Sequence, residues 1–599
     1  MSEYREAIPN PEDSDNETNN ETVTQDLTIT QSNSSLSPSF LNEFNNLRLT
    51  EERINRYANE ISSESRPSTS TSTTLNDIPL ALPAASSTST VDREGESSSD
   101  LSKLMKRRER AMSKAIANIK RSMEVDLCYV LDCTGSMAGH IAAAKDCILQ
   151  VTEHIQNINP CIKIRVGFCG YRDHCDGVSR LHIFKFGDSY EEFKKELSKV
   201  PATGGGDGPE DVLGGLDAAI SQMNWNNGTR VLFHIGDYPP HGRRFTDMHD
   251  DEYPDGDPNG LTAESVLEKM KLERILYFFG KITNYTDKMI EVFRGILGEV
   301  PVFDLVGGGD PIELINKFVK ATTSSITISV SLTSSLGARD SDVYSFQQRS
   351  IDINPEVPDW NALPAQRGVT LGYPIPKTQE ELRDRRYFKK ERLFSRNFYF
   401  KIAQQPFSSG VEKYAYFSID TKKDPPKKMV MKEYFKNDSH NPFEKYLEAV
   451  EISSVASFLS IRFNSVARRK NIQSVNFLEV KLVRAVIDNK TRYYISEPEL
   501  KGANFMRFNV NSGVIVELRY TLEAFSHFTY WYTEGYLVVS DLQGIELTDQ
   551  FLLTDPAIHC TDPLRFGRTN LGKRGIDDCF LKNHRCNEIC EKLGIMVNG

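Results

Sequence analysis

Hydrophobic and polar positions change their spacing several times along the chain, and the clearest change falls at residue 123. Between residues 123 and 321, short apolar runs such as VDLCYVLD and TRVLFHIGD alternate with segments of helical spacing such as DVLGGLDAAISQM. Strands that alternate with helices are typical of a parallel sheet covered by helices on both faces. We therefore predict a doubly wound α/β domain over residues 123–321.

A different pattern fills the rest of the chain. Residues 322–394 are rich in proline and predict a linker or extension, in which ITISVSL could form a strand. From residue 395 to 599 the strands NFYFKIA, EKYAYFSID and KMVMKEYF precede a long helix, EKYLEAVEISSVASFLSIRFNSVA, and then the strands VKLVRAVI, TRYYISE and GVIVELRY. This mixture predicts a second domain of the α+β class.

The first 122 residues lack the pattern of a folded domain. Residues 1–100 are rich in Ser, Thr, Asn and Glu, too polar to offset chain entropy, and predict a disordered tail that is either inert or a target for phosphorylation or docking. Residues 101–122 predict a basic amphipathic helix, because apolar residues recur from Met112 to Met123 at helical spacing. In one interpretation this helix packs against the next domain. In the other, residues 103–121 bind calmodulin or an anionic membrane surface.

Composition excludes several classes of function. The net charge of −11 argues against nucleic acid as a partner, since duplex binding depends on clustered positive charge. The chain begins with polar and acidic residues and has no apolar run long enough to span a membrane. Several of the ten cysteines lie in apolar runs, which indicates buried reduced thiols. These features predict a cytoplasmic protein.

Oxygen-bearing side chains cluster where predicted strands of the first domain end. The segment YVLDCTGSM follows one strand, Asp237 ends another in VLFHIGDYPPHG, and TGGGDGPED forms a Gly-rich turn. Ligands of a doubly wound sheet gather at the carboxyl ends of strands, and hard cations such as Mg²⁺ or Ca²⁺ prefer oxygen. A single D-x-T-x-S is usually a helix N-cap, but three such features together predict a cation site. The candidate ligands are Asp132, Thr134, Ser136 and Asp237, with Asp207 or Thr203 as a weaker choice.

These residues resemble a known family. The segments LDCTGSM, GYRDH and GDYPPHG are similar to a von Willebrand factor type A domain with its metal-ion-dependent adhesion site, over about residues 123–321. The resemblance implies a divalent cation that captures a carboxylate from a partner protein.

A second set of polar residues follows the apolar run LVV near the C-terminus. Asp541 and Gln543 come where that strand gives way to a turn, and Asp555 follows a short loop later. A carboxylate and an amide at such a position can hold Mg²⁺, and an aspartate can accept a proton from an attacking hydroxyl. Lys432 in an alternating strand and Gly410 in a turn could contact phosphates, although a solvated lysine and an ordinary hairpin are the plainer interpretations.

The C-terminal segment NHRCNEIC offers metal ligands of another kind. His584, Cys586 and Cys590 are three ligands of the sort that structural zinc takes, and a closed tetrahedral shell needs a fourth. Spacing does not choose between His527 and His559. The alternative is buried thiols beside a packed histidine.

Together these features resemble an alpha-type (atypical) protein kinase domain, the family of the myosin heavy chain kinases, over about residues 395–595. The resemblance is carried by PFSSGVEKYAYF, MVMKEYF, ISEPELKG, TLEAFSHFTYWYTEGYLVVSDLQG, LTDPAIH, FGRTNLGKRGI and HRCNEICEKLGI. It implies ATP as the phosphate donor, Mg²⁺ and a structural Zn²⁺. It also implies that Asp541 and Lys432 are the catalytic residues. The residues implied to bind ATP are Lys432, Glu497, Arg519, Lys413 and Gly410, with Glu497 at the hinge that receives the adenine. The implied metal ligands are Gln543 and Asp555 for Mg²⁺, and His527, His584, Cys586 and Cys590 for zinc.

Three positions depart from the family pattern. Lys413 stands where the family has Arg, and a lysine lacks the planar fork that grips phosphate. Thr569 occupies the middle of a late GxGxxG-like turn, which suggests packing or substrate contact. The segment from Asp541 to Asp555 is longer than usual, so Asp549 competes with Asp555 as a Mg²⁺ ligand. None of these changes removes Lys432 or Asp541.

The sequence therefore predicts a protein kinase that acts on Thr or Ser, with a type A domain that recruits a protein ligand or substrate. Autophosphorylation of the tail is also predicted, because the tail has a high effective concentration at the site. The alternative is a catalytically weak scaffold that acts through the type A metal site. An adhesion protein is a weaker alternative, because it would need secretion.

Overall fold

The computed structural model describes residues 98–298, 300–306, 310–336, 353–410, 413–435, 442–500 and 504–596. The tail predicted over residues 1–100 therefore lies almost wholly outside the described residues. No helix within these ranges has the length and apolar character needed to cross a membrane. All ten cysteines fall within them, and none forms a disulfide.

A long helix, α1 (Ser98–Ser122), precedes the first domain. Its apolar side chains Ile116 and Ile119 are buried in the core of that domain. Arg108 reaches the second domain, where it donates hydrogen bonds to the carbonyl oxygens of Pro563 and Gly567, both at 2.9 Å. The C-terminal part of the predicted basic helix is thus packed along its apolar face, whereas Leu101, Leu104 and Met105 near its start remain exposed.

The first domain is built on a six-stranded sheet with the order β3-β2-β1-β4-β5-β6, in which only the edge strand β3 is antiparallel to its neighbour. The strands are β1 (Glu124–Asp132), β2 (Lys163–Tyr171), β3 (Leu181–Gly187), β4 (Thr229–Gly236), β5 (Ile275–Lys281) and β6 (Val302–Asp304). The predicted doubly wound sheet is confirmed.

Helices cover both faces of this sheet, as its near-continuous apolar strands require. Along β1, Leu127 and Tyr129 face one apolar cluster, and Cys128 and Val130 face the other. The helices are α2 (Ala138–Ile158), α3 (Tyr190–Leu197), α4 (Val212–Gln222), α5 (Ala263–Leu272), α6 (Asp287–Leu297) and α7 (Pro311–Leu336).

The strand predicted at ITISVSL is wrong, because these residues belong to α7. Phe318, Ile326 and Val330 lie on one face of that helix and are buried in the first domain. Their spacing of four and eight residues is helical, whereas the alternation of β-branched residues with Ser and Thr imitates a strand. Residues 322–336, predicted to begin the linker, thus continue a helix of the first domain.

The second domain begins with a curled antiparallel sheet of order β11-β14-β13-β7-β8-β10-β9. Because β10 also pairs with β11, the sheet closes on itself. Its strands are β7 (Gln366–Gly372), β8 (Phe394–Ile402), β9 (Ser408–Ser409), β10 (Lys413–Asp420), β11 (Lys427–Tyr434), β13 (Lys481–Ile487) and β14 (Lys490–Pro498). Strand β7 and helix α8 (Gln379–Arg383) lie in the stretch predicted as a linker, so that stretch contributes to the domain.

The remaining elements form a helical and β-rich half with its own apolar cluster. The helices are α9 (Pro442–Ala467), which was predicted, α10 (Tyr520–Tyr532), α11 (Gly572–Arg574) and α12 (Glu588–Leu593). The short strands are β12 (Ser474–Phe477), β15 (Met506–Arg507), β16 (Leu537–Ser540), β17 (Gln543–Glu546), β18 (Gln550–Thr554) and β19 (Ala557–Cys560).

The strand predicted at GVIVELRY is also wrong. Its only described sheet contact is an isolated bridge between Asn509 and Ile515. Val514 is buried in the apolar cluster of the first domain rather than in a sheet. Burial against another domain needs the same apolar residues as a buried strand, so the pattern does not distinguish the two.

Candidate functional site

A partly buried cluster of two lysines and two acids lies between the curled sheet and the second half of the domain. Lys432 on β11 is 2.5 Å from Glu497 Oε1 and 2.8 Å from Asp555 Oδ2. Lys413 on β10 contacts the other Asp555 oxygen at 2.7 Å. Residues 413 and 432 lie on adjacent antiparallel strands, which brings both ammonium groups to one carboxylate.

The charges in this cluster stabilise each other. Burial alone would raise the pKa of Asp555, but the ammonium groups of Lys413 and Lys432 hold that pKa well below its ordinary value. Burial likewise disfavours charge on Lys432, yet Asp555 and Glu497 raise its pKa overall. The lysines therefore stay charged, and a phosphate entering the cluster would meet two preorganised cations.

Asp541 lies in the loop between β16 and β17, with φ = +56°. Its Oδ1 accepts hydrogen bonds from Arg507 at 2.7 and 3.1 Å. Two residues on, the Gln543 side-chain amide donates to the Asp555 backbone oxygen at 3.4 Å. The loop thus joins an ion-paired aspartate to the lysine cluster, and left-handed backbone at Asp541 and Asp555 is typical of functional sites.

The structure brings together most of the residues predicted for nucleotide and Mg²⁺, but not all. The Glu497 carboxylate, expected at the adenine hinge, is instead engaged by Lys432 and by the Thr554 hydroxyl at 2.5 Å. Arg519 pairs with Glu546 at 2.7 Å rather than with the cluster. Asp549 is exposed in the turn between β17 and β18, so the contacts to the lysines belong to Asp555.

Sequence reasoning missed two members of this arrangement. Thr554 donates its hydroxyl hydrogen to Glu497 and also lies 3.3 Å from Lys432. Arg507 is the partner of Asp541. Thr554 directly precedes Asp555, which was a usable signal, whereas Arg507 lies 34 positions before Asp541 and the sequence does not indicate their contact.

Four metal-ligand side chains meet at the end of the domain. His527 from α10 joins His584, Cys586 and Cys590, with one ligand atom of each within 4.8 Å of the others. His527 Nδ1 lies 3.1 Å from His584 Nε2 and 3.7 Å from Cys586 Sγ, and His584 Nε2 lies 3.7 Å from Cys590 Sγ. His559 lies elsewhere, bonded to the Asn511 carbonyl, so the structure chooses His527 between the two candidates.

The spacing of these atoms fits a tetrahedral zinc ion. Zn–N and Zn–S bonds of ordinary length place tetrahedral ligand atoms about 3.3–3.8 Å apart. The measured separations fall close to this range. Burial lowers the pKa of His584 to about 3, which keeps its imidazole in the neutral form that a metal ligand needs. The donor set therefore fits structural zinc.

In the first domain, buried acids surround the turn that was predicted to bind a cation. Thr134 donates its amide and hydroxyl hydrogens to Asp132 Oδ1 at 2.8 and 2.7 Å, which fixes the turn. One buried oxygen on each of Asp132, Asp237 and Glu210 has no hydrogen-bond partner. Buried carboxylate oxygens without partners are costly, and a divalent cation would offset that cost.

Glu210, which was not predicted, is the most strongly perturbed of these acids. Burial and the charges of Asp132 and Asp173 raise the pKa of Glu210 to about 11. Burial and then Asp237 raise the pKa of Asp132 to about 8. Glu210 lies in the quoted turn TGGGDGPED, in which the sequence predicts only Asp207 and Thr203 as candidates.

Asp207, Thr203 and Ser136 are placed differently from Glu210. Asp207 accepts a hydrogen bond from the Glu252 amide at 2.6 Å and lies 4.0 Å from His241. Thr203 and Ser136 are exposed on the turns. The carbonyl of Thr203 accepts a hydrogen bond at 2.6 Å from Arg172, a buried guanidinium that holds this loop in place.

We expect Glu210→Gln to stabilise the cation-free domain and weaken its response to cation. Without a cation, the raised pKa of Glu210 means that this side chain must take up a proton on folding, and the neutral amide avoids that cost. The melting temperature at neutral pH should therefore rise by about 2–4 °C, or about 1 kcal/mol. The further rise on adding Mg²⁺ or Ca²⁺ should shrink, because a ligand is lost. Calorimetry with and without cation measures both changes, and the exposed Glu153→Gln on α2 is the matched control. An unchanged response to cation in Glu210→Gln contradicts the prediction.

Comparison with known proteins follows this division of the chain. Residues 408–590 match the model of the alpha-kinase family, and residues 126–247 match that of the von Willebrand factor A domain. Alpha-protein kinase vwkA of Dictyostelium discoideum is 32% identical over 529 residues, which cover 84% of this chain and 83% of the relative. Myosin heavy chain kinase B of the same organism is 32% identical over 198 residues, or 33% of this chain and 25% of the relative. The crystal structure of the alpha-kinase domain of myosin heavy chain kinase A in complex with AMP matches 39% of this chain and 100% of its own, with 25% identity and a TM-score of 0.32.

Proposed function

The chain belongs to the alpha-kinase family, whose members are protein kinases, and from that premise we propose that it phosphorylates Ser or Thr residues of proteins that its type A domain recruits. The lysine cluster carries the proposal. Lys432 is partly buried and charged beside Asp555. The loop that bears Asp541 adjoins this pair, as does Gln543 at the start of β17. A site of this composition suits phosphoryl transfer, which depends on positioning and on charge stabilisation.

Each residue has a distinct part in the proposed reaction. Lys432 and Lys413 would bind the phosphates of ATP, since both keep their charge in a partly buried site. Asp541 would orient the substrate hydroxyl and accept its proton, while Arg507 holds the carboxylate. The oxygens of Gln543 and Asp555 would hold Mg²⁺, which when bound neutralises charge on the transferred phosphoryl group.

Two further metal roles belong to the proposal. The cluster of His527, His584, Cys586 and Cys590 would hold a structural zinc that contributes to folding and takes no part in phosphoryl transfer. The Asp132 turn with Glu210 and Asp237 would hold Mg²⁺ or Ca²⁺ in the type A domain, and the unpartnered oxygens there support this. A cation with an open position could accept a carboxylate from a protein ligand. None of the ten cysteines forms a disulfide, which supports the proposal of a reducing, cytoplasmic location.

The proposal is tested by incubating the purified full chain with labelled ATP, Mg²⁺ and a Thr-containing protein such as a myosin tail or a basic protein. Label in phosphothreonine or phosphoserine is the expected result. A folded chain that contains zinc and transfers no label to any protein, itself included, would overturn it and favour the scaffold alternative.

We expect the chain to phosphorylate its own tail. The segment before residue 100 is rich in Ser and Thr and is tethered to the active site, which raises its effective concentration there. Mass spectrometry after incubation with ATP should find phosphate before residue 100, at a rate independent of protein concentration. An inactive Asp541→Asn chain is the control. The prediction is wrong if phosphate appears only after residue 100.

A further inference from the structure

The loop that carries Asp541 is held by one segment of the kinase domain, residues 507–516. Arg507 pairs with the Asp541 carboxylate, and the side-chain oxygen of Asn509 accepts the Leu542 amide hydrogen at 2.9 Å. The Leu542 carbonyl in turn accepts from the Phe508 amide at 2.9 Å. Both backbone groups of the residue next to Asp541 are therefore fixed by this segment.

The segment folds back on itself as a tight hairpin beyond Asn509. Asn509 and Ile515 form a bridge, and the Val510 amide donates to the Val514 carbonyl at 3.0 Å. Gly513 at the turn has φ = +87°, and a Cβ there would lie 1.6 Å from the Cys579 carbonyl oxygen. The Gly513 turn is thus packed closely against Cys579, and backbone pairing joins Ile515 to Asn509 across the hairpin.

The outer side of the hairpin is bound by the type A domain. The Asn159 side chain donates to the Ile515 carbonyl at 2.9 Å and accepts from the Ile515 amide at 2.7 Å. Both residues are buried, with 1% and 5% of their surface exposed. Asn159 caps the C-terminal end of α2, the helix that begins after the turn of Asp132 and Thr134.

Other contacts confirm that this interface is packed and not incidental. Val510 and Val514 belong to the apolar cluster of the type A domain, apart from the main cluster of the kinase domain. The Ser334 hydroxyl on α7 lies 3.0 Å from the Ser512 hydroxyl, and both are buried. The type A domain therefore contacts one short hairpin through two of its helices.

We infer that Asn159 of the type A domain is a positioning residue for phosphoryl transfer, acting through Ile515 and Asn509 on the loop of Asp541. This inference rests on the proposed role of Asp541. Removing the Asn159 amide leaves both backbone groups of Ile515 buried and unpaired, so the hairpin shifts or opens to reach water. A displacement of about 1 Å far from the chemistry can reduce turnover about 10²-fold.

The test uses the full chain with the substitutions Asn159→Ala and Asn159→Asp. The aspartate keeps the volume and the acceptor for the Ile515 amide but loses the donor to the Ile515 carbonyl. We expect kcat to fall about 10- to 100-fold in Asn159→Ala, with less than about a twofold change in KM for ATP, because the lysine cluster is untouched. Asn159→Asp should lower kcat at least as much at neutral pH, because its second carboxylate oxygen would face the Ile515 carbonyl oxygen. Amide hydrogen exchange over residues 509–516 should quicken in both variants.

Asn157→Ala is the matched control, since Asn157 is exposed on the same helix two residues earlier and should leave kcat unchanged. If Asn159→Ala does not fold, Asn159→Asp decides the question. A folded Asn159 variant with the kcat of the wild type overturns the inference, as does an equal loss in kcat and in ATP binding. Asp541→Asn is assayed alongside. If that chain is fully active the proposed function fails, whereas an inactive Asp541→Asn with fully active Asn159 variants removes only the inference.

Discussion

Replacing Asp541 with asparagine is expected to lower kcat for phosphoryl transfer by about 10²–10⁴-fold, the usual contribution of a positioned acid or base. Asparagine keeps the shape of the side chain and can still accept a hydrogen bond from Arg507. It loses the negative charge that would take the proton from the substrate hydroxyl. Affinity for ATP should change little, because Asp541 makes no described contact with Lys432 or Lys413.

The matched control is Asp549→Asn, a removal of charge from an exposed aspartate in the same segment. That variant should retain nearly full activity, and its behaviour also separates Asp549 from Asp555 as a ligand of Mg²⁺. Initial rates with labelled ATP at saturating Mg²⁺ give kcat, and nucleotide titration gives affinity. Activity in Asp541→Asn equal to that of the wild type would contradict the role assigned to Asp541. A loss of activity in Asp549→Asn would instead show that Asp549 takes part in the reaction.

The positions that sequence predicts well are those whose role is local. Asp541 follows the end of β16 and Gln543 begins β17, while Asp132 and Thr134 share one turn, so a short segment contains the whole signal. Several strands of both sheets, such as β1, β4, β10 and β11, were found because their period is two or their apolar runs are continuous, whereas β7 lies in the stretch predicted as a linker. At such positions the local sequence pattern is sufficient to predict the structure.

The positions that sequence missed depend on which distant segments meet. Glu210 becomes important only because Asp132, Asp173 and Asp237 are folded around it. Arg507 matters through Asp541, and the apolar residues of GVIVELRY are explained by an interface with another domain rather than by a sheet. In each case the residue type was visible in the sequence but its partner was not, because contact across many positions is decided by tertiary packing.

The zinc cluster falls between these cases. Three ligands lie within seven residues, His584 to Cys590, whereas the fourth lies 57 positions before His584 on α10. The sequence thus predicted the chemistry of the site, and the choice between His527 and His559 needed either the family resemblance or the fold.

Loss of zinc is expected to unfold the C-terminal half of the kinase domain. Cys590 lies on α12 with no exposed surface, and the cluster ties α12 to α10, whose other residues fill the main apolar core. Without the ion, two imidazoles and two thiols must be buried with few alternative partners. Binding of a structural zinc contributes directly to folding, so we expect Cys590→Ser or a zinc chelator to remove at least about 5 kcal/mol, most of the stability of an ordinary domain.

Calorimetry and metal analysis test this expectation together. The wild type should contain one zinc per chain, and a chelator selective for zinc over Mg²⁺ should lower the melting temperature and abolish transfer of label. Cys560→Ser is the matched control, because Cys560 is equally buried in β19 but lies outside the cluster, so the same chemical change should cost far less and leave zinc bound. Unchanged melting after complete removal of zinc, or equal losses from the two serine substitutions, would show that the ion does not hold the fold. The four side chains would then be a packed polar cluster, and the coupling of α12 to α10 would rest on apolar contacts alone.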